Sequence, residues 1–152
     1  MIAVIQRVNN ATLYSDGEFT CKIDKGLYIL LGVAKGDCES DAVALAEKIS
    51  KLRIFSDEND RMNLSVNDIS GEVMAVSNFT LNANYAHGNR PDYFGSEEPA
   101  RASALFDFFV ERMKERVKYC CAGIFGSDMR TDMSTDGPVT IVMDSKILLK
   151  KG

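Results

Sequence analysis

The chain has 152 residues, 18 Lys+Arg against 22 Asp+Glu, and a formal net charge of −4. An apolar fraction of 45% and a charged fraction of 26% exclude a disordered, collagenous or coiled-coil chain and fit one globular domain spanning 1–152. A chain this long buries ~70% of its extended surface, enough for a core, and its acidic balance argues against a broad footprint on duplex nucleic acid.

Ile2 to Val8 reads as a buried β-branched strand bounded by Asn9-Asn10. Thr12 to Ser15 and Glu18 to Ile23 flank Asp16-Gly17, a two-residue hairpin signal. Gly26 to Val33 is a continuous apolar run suited to a sheet centre. From Ser40, Ala42, Val43, Leu45, Ala46, Ile49 and Leu52 recur at helical spacing. Asp57 to Asp60 is a polar turn, and Glu72 to Leu81 alternates as a strand. Asn82 to Pro99 has no period and reads as a long surface loop. Pro99 opens a second helix whose stripe runs from Ala102 through Leu105, Phe106, Phe109, Val110 and Met113 to Val117. Gly123 to Gly126 reads as a tight strand or bulge, and Val139 to Met143 as the last strand. The expected fold is α+β: a mainly antiparallel, curved, barrel-like sheet covered by two amphipathic helices.

The longest apolar run, Leu27 to Ala34, falls far short of the ~20 residues of a membrane span. MIAVIQRV has no basic leader and reads as a strand, so a cytoplasmic protein without membrane contact is expected. Cys21, Cys38, Cys120 and Cys121 form no CxxC pair, and His87 is the only histidine. Neither a metal site nor a disulfide framework is expected, and the thiols should be reduced. Phosphate-binding glycine spacings are missing, so no cofactor is expected. His87 lies in the long loop with no nucleophile elbow, which leaves a serine-hydrolase triad without support.

Two segments break local rules. In Ser77-Asn78-Phe79-Thr80, polar side chains interrupt an apolar strand just before a loop. Such a strand end either bonds its hydroxyls to its own backbone or offers N–H groups to an anionic or carbonyl group. In Asp136-Gly137-Pro138-Val139-Thr140, a proline precedes a strand. An ordinary turn accounts for it from local physics, although Gly-Pro also admits a cis peptide.

Together these segments resemble two motifs of the D-aminoacyl-tRNA deacylase family, SQxxT at Ser77 to Thr80 and GPVT at Gly137 to Thr140. The resemblance runs nearly end to end. It takes in Ile5-Gln6-Arg7-Val8, Gly26 to Val33, Leu52-Arg53-Ile54-Phe55, Met62-Asn63-Leu64, Gly88-Asn89-Arg90-Pro91 and Phe125-Gly126. It implies a homodimer of barrel-like subunits. The implied reaction is hydrolysis of the ester joining a D-amino acid to the tRNA 3′ end, or glycine mischarged on tRNA-Ala, as chiral proofreading. Carried over by position, Ser77, Asn78, Phe79 and Thr80 are the catalytic segment. Gly137 and Pro138, cis and reaching across the dimer, reject the L side chain with backbone carbonyls, and Arg7 supports their loop. Phe125, Gly126 and Met129 hold the terminal adenosine.

The chain departs from the family pattern at Asn78, usually Gln, at Thr135, usually Asn, and at Ser127, usually Ala; Thr131 to Ser134 is also unusually polar. A paralogue with shifted aminoacyl specificity and a non-catalytic tRNA-binding or interaction module are the alternatives. No base stands beside Thr80 in sequence, so positioning and oxyanion stabilisation by backbone N–H groups of Asn78 to Thr80 are favoured over a covalent nucleophile. Arg112, Lys114, Arg116, Lys118, Lys146, Lys150 and Lys151 form either a solvated face or a contact for acceptor-end phosphates.

Overall fold

A computed structural model describes residues 1–150. The first strand is longer than its apolar pattern: β1 runs unbroken from Ile2 to Ser15, through Asn9-Asn10. Asp16 and Gly17 then turn with φ of 50° and 83°, the double left-handed geometry of a tight hairpin, into β2 (Glu18–Ile23). The remaining elements are β3 (Gly26–Gly32), α1 (Glu39–Ser50), β4 (Phe55–Ser56), β5 (Met62–Leu64), β6 (Glu72–Ser77), a 3₁₀ turn (Phe79–Asn82), α2 (Pro99–Lys114), β7 (Cys120–Ala122), β8 (Met129–Asp144) and a short α3 (Ser145–Leu149).

The main sheet runs β2-β1-β3-β6-β7, with β8 on the other side of β1. β1 pairs antiparallel with β2, β3 and β8, whereas β3–β6 and β6–β7 are parallel. The expected α+β barrel-like sheet is therefore mixed. A parallel pair needs a crossover, and α1 and α2 lie on the chain between β3 and β6 and between β6 and β7. Alternation then sorts the apolar residues. Leu27, Ile29, Leu31, Val73 and Ala75 join the core under the helices, with Leu45, Ile49, Phe106 and Phe109. Tyr28, Met74 and Val76 face the other way and meet Val8, Leu13 and Ile23 inside the curve of the sheet. Burial on both faces is why β3 reads as a solid apolar run.

Four sequence expectations need correction. The strand from Glu72 stops at Ser77, because Asn78 caps a 3₁₀ turn. Gly123 to Gly126 is a turn outside the strands, closed by Ser127 N–H to Ile124 O at 3.2 Å. The last strand begins at Met129, since the polar stretch Thr131 to Ser134 pairs residue by residue with Asn10 to Leu13. Cys21 and Cys121 are joined as a disulfide with Cα atoms 6.5 Å apart, within bridging reach. Only Cys38 and Cys120 are free.

Below α1, the buried Met1 ammonium pairs with Asp37 at 2.7 Å and donates to Ser145 Oγ at 2.9 Å. Ser145 Oγ in turn donates to Asp41 Oδ1 at 2.6 Å. Burial pushes the Asp41 carboxyl up, but bonds from Ser145 and Cys38 bring it below its ordinary value. Among the described residues, no helix is long and apolar enough to cross a membrane. Lys151 lies outside them.

Candidate functional site

Where β6 ends, the chain must turn beside β3. Asn78 N–H still donates to Leu31 O at 2.8 Å, the last rung of the sheet. Its side chain then ends the strand: Oδ1 accepts from Thr80 N–H at 3.1 Å and from the Thr80 hydroxyl. A short amide one methylene from the backbone is well placed for this cap. The turn packs tightly on Gly32, where an added Cβ would lie 3.0 Å from both Asn78 O and Leu81 Cβ. Asn82 Nδ2 fixes the far end on Val33 O at 3.0 Å.

Of the three N–H groups in Asn78-Phe79-Thr80, the outer two are thus engaged. Phe79 N–H is the free donor of the segment among the described residues. An unengaged N–H at the start of a 3₁₀ turn is suited to a developing oxyanion. Thr80 is exposed, lies outside the cleft lining and gives its hydroxyl to an amide oxygen, which is no base.

A cleft of about 650 Å³ opens beside this turn, in the usual size range for ligand sites. Ser77, Asn78 and Phe79 form one wall; Phe125, Gly126, Ser127 and Met129 form another. Aromatic contacts brace both. Phe79 meets Tyr93 edge to face, with centroids 5.0 Å apart, and Phe125 tilts against Phe106 at 6.4 Å. Ser96 Oγ donates to Phe79 O at 3.1 Å and ties the long loop to the turn. Ser127 Oγ donates to Ile124 O at 2.7 Å and so holds the Phe125-Gly126 turn.

Apart from Thr80, which stays outside the cleft, the sequence-predicted residues divide into two groups. Ser77, Asn78, Phe79, Phe125, Gly126 and Met129 come together around the cleft. Gly137, Pro138 and Arg7 do not line it. Gly137 and Pro138 are exposed on a bulge where Gln6 pairs with Thr140 and Val8 with Thr135, leaving Asp136 to Val139 opposite the half-buried Arg7 alone. Pro138 has no N–H to give the ladder, so the strand must swing out there. The Gly137–Pro138 peptide is cis. A Cβ at Gly137 would overlap Val139 N. Arg7 anchors the bulge: Nε donates to Asp136 O at 3.0 Å and pairs with its carboxylate at 3.1 Å, while a terminal nitrogen donates to Ile54 O at 2.7 Å.

Sequence reasoning missed Lys35, Tyr93 and Phe94, which also line the cleft, along with Ala102 and Phe106. The last two had been counted only as core. The signal for Tyr93-Phe94 was an aromatic pair inside an otherwise polar, Gly- and Pro-containing loop. The only histidine, His87, is exposed and outside the lining. The lining therefore holds no histidine; its ionisable side chains are Lys35, Glu97, Glu98 and Tyr93, set among apolar walls.

Comparisons with known proteins agree in kind. The sequence model described as D-Tyr-tRNA(Tyr) deacylase matches residues 4–144. A D-aminoacyl-tRNA deacylase of Persephonella marina is 50% identical over 148 residues, covering 97% of this chain and all of the relative. One from Caldicellulosiruptor saccharolyticus is 49% identical, covering 96% and 98%. Among solved structures, one described as "c-Myc DNA Unwinding Element Binding Protein" superposes with TM-score 0.87 at 32% identity, covering 95% of this chain and 98% of that one. A probable eukaryotic D-amino acid tRNA deacylase shares the fold, with TM-score 0.79 at 12% identity over 94% and 98%.

Proposed function

The chain belongs to the D-Tyr-tRNA(Tyr) deacylase family, and we propose that the cleft beside Phe79 is where it performs that family's reaction. It is a hydrolase of D-aminoacyl-tRNA: it cleaves the ester between a D-amino acid and tRNA, a proofreading step in translation. The observation that carries the assignment of the site is the free Phe79 N–H at the wall of the cleft that also holds Phe125, Gly126 and Met129.

In this reading the terminal adenosine packs against Phe125, Gly126 and Met129. The ester carbonyl sits by Phe79 N–H, which stabilises the oxyanion as water, aided by the ribose 2′-hydroxyl, attacks. The carbonyl carbon–ribose oxygen bond breaks; the ribose oxygen takes a proton, and free D-amino acid and tRNA leave. Asn78 holds the turn in shape. Thr80 contributes its bond to Asn78 rather than a nucleophile. An aminoacyl ester is already activated, so positioning and one preorganised donor suffice.

Chirality is read by the exposed Gly137-Pro138 bulge, which Arg7 steadies. Because this bulge does not line the cleft of its own subunit, a second copy of the chain supplies it, and the working form is a homodimer of residues 1–152. Size selection in an apolar pocket separates substrates by only ~1–3 kcal/mol per methylene, whereas rigid main chain at the α-carbon refuses L side chains of every size. Glycine, with no side chain to refuse, is accepted. The protein works in the cytoplasm. Purified protein incubated with D-Tyr-tRNA and, separately, L-Tyr-tRNA is the test. Release of D-tyrosine alone is expected; equal release of both, or of neither, contradicts the reading.

A further inference from the structure

We infer that Phe94 and Lys35, at the rim of the cleft, form a second nucleotide subsite that stacks the base and pairs with the phosphate of the residue preceding the terminal adenosine. The inference rests on the deacylase reading above and extends it from the reacting end of the tRNA to the strand that carries it.

Phe94 is 79% exposed although it lines the cleft. With Phe79 and Tyr93, also exposed and in the same lining, it makes an aromatic patch rather than a lone surface ring, and such patches mark contact sites. The loop that carries it is well tied. Phe94 N–H donates to Asp92 Oδ1 at 3.2 Å, and Asp92 is locked to Asn84 by two backbone bonds, at 2.8 and 3.0 Å, and by a side-chain bond at 2.9 Å. The ring is thus presented at little further ordering cost, which favours binding.

Lys35 lies on the facing segment. Its N–H donates to Gly95 O at 2.9 Å, next to an antiparallel bridge between Ala34 and Ser96. Among the described residues Lys35 has no ion-pair partner within 4.0 Å. Of the acidic groups in the same lining, Glu97 is paired with Arg101 at 3.2 Å, and Glu98 is the one carboxylate without an ion pair. An exposed ring beside a free cation is the pairing that single-stranded nucleic acid selects: a π-face for any base and a charge for its phosphate. Adenosine against the Phe125 wall leaves this rim for the nucleotide before it.

The experiment compares D-Tyr-tRNA with 3′-O-(D-tyrosyl)adenosine, which has the ester and the adenosine but no preceding nucleotide. The readout is the ratio of kcat/KM on the tRNA to kcat/KM on the nucleoside. Phe94→Ala should lower that ratio by roughly five- to 150-fold, the span seen for removing a base-stacking ring. Phe94→Trp should keep the ratio. Lys35→Gln should lower the slope of log kcat/KM against log salt by about 0.7 on the tRNA, one single-strand phosphate contact. Ratios unmoved in Phe94→Ala, with the wild type active on both substrates, would overturn the subsite alone. So would a changed monomer–dimer equilibrium with the ratio unmoved, which would make Phe94 a contact between copies. Failure of the wild type on both substrates would overturn the deacylase reading and this inference with it.

Discussion

The strand end at Ser77–Thr80 is folded back onto its own subunit, whereas the bulge at Asp136–Val139 stands out from it. The first is tied to β3 by Asn78, capped internally, and set in a cleft. The second is held from behind by Arg7 and presents Gly137 and Pro138 to the outside. One region is complete within the chain; the other is rigidly held but faces away from it. The contrast fits the proposed division of labour: reaction chemistry on the first region, selection of the substrate's handedness on the second.

Gly137→Ala should break the second region and spare the first. The added methyl collides with Val139 N, and misplacement by about 1 Å at a selecting surface costs on the order of 100-fold in kcat/KM. D/L selectivity on Tyr-tRNA should collapse by that order, with Tm little changed because the site is exposed. Arg7→Ala is the milder form of the same lesion. It removes the bonds to Asp136 and Ile54, loosens the bulge and should lower selectivity about tenfold. It should also destabilise the protein by ~1.5–3 kcal/mol, the range for hydrogen bonds to charged groups, read by urea unfolding.

Thr80→Ala acts on the first region and should do less. It removes one bond to Asn78 while the Thr80 N–H bond remains, so kcat on D-Tyr-tRNA should fall only a few-fold, about 0.5–1.5 kcal/mol. Complete loss in a folded variant would revive a nucleophile.

The smallest expected effect concerns carboxyls that lie in neither region. Bonds from Arg61 N–H to Asp57 and from Ser65 to Asp68 hold both carboxyls below their ordinary 3.8, as the net of burial and hydrogen bonds does for Asp41. Carboxyls depressed in the folded state stabilise it above their unfolded value and lose that stabilisation as pH falls through the folded values. Stability from these groups should therefore be level from pH 7 to about 5 and fall below about 4, in wild type and Gly137→Ala alike.

Much of this arrangement was legible in the residues, for local reasons. Asp16-Gly17 specified its hairpin because few other residues adopt that turn. The α2 stripe from Ala102 to Met113 was plain because one face alone is apolar. The rest depended on partners distant in sequence. Thr131 to Ser134 carry no apolar alternation, and only their pairing with β1 makes them strand. Cys21 and Cys121 are 100 residues apart and meet because the sheet curves β2 toward β7. At the site, Ser77 to Phe79 and Phe125 to Met129 were marked as separate motifs, but their convergence, and the Tyr93-Phe94 rim beside them, arise from the two parallel crossovers. The family resemblance implied residue roles that periodicity cannot give.

Phe79 N–H is the proposed oxyanion donor, and one backbone substitution tests it directly. Phe79 opens the 3₁₀ turn, where proline is tolerated, and Asn78 before it is already extended at φ −147° and ψ 94°. Phe79→Pro therefore deletes a donor that no protein group uses, and Phe79→Ala removes the same ring but keeps the donor. Measured as single-turnover rates on D-Tyr-tRNA, Phe79→Pro should be about 100- to 1,000-fold slower than Phe79→Ala, with matching Tm values. Equal rates for the two variants would contradict the account.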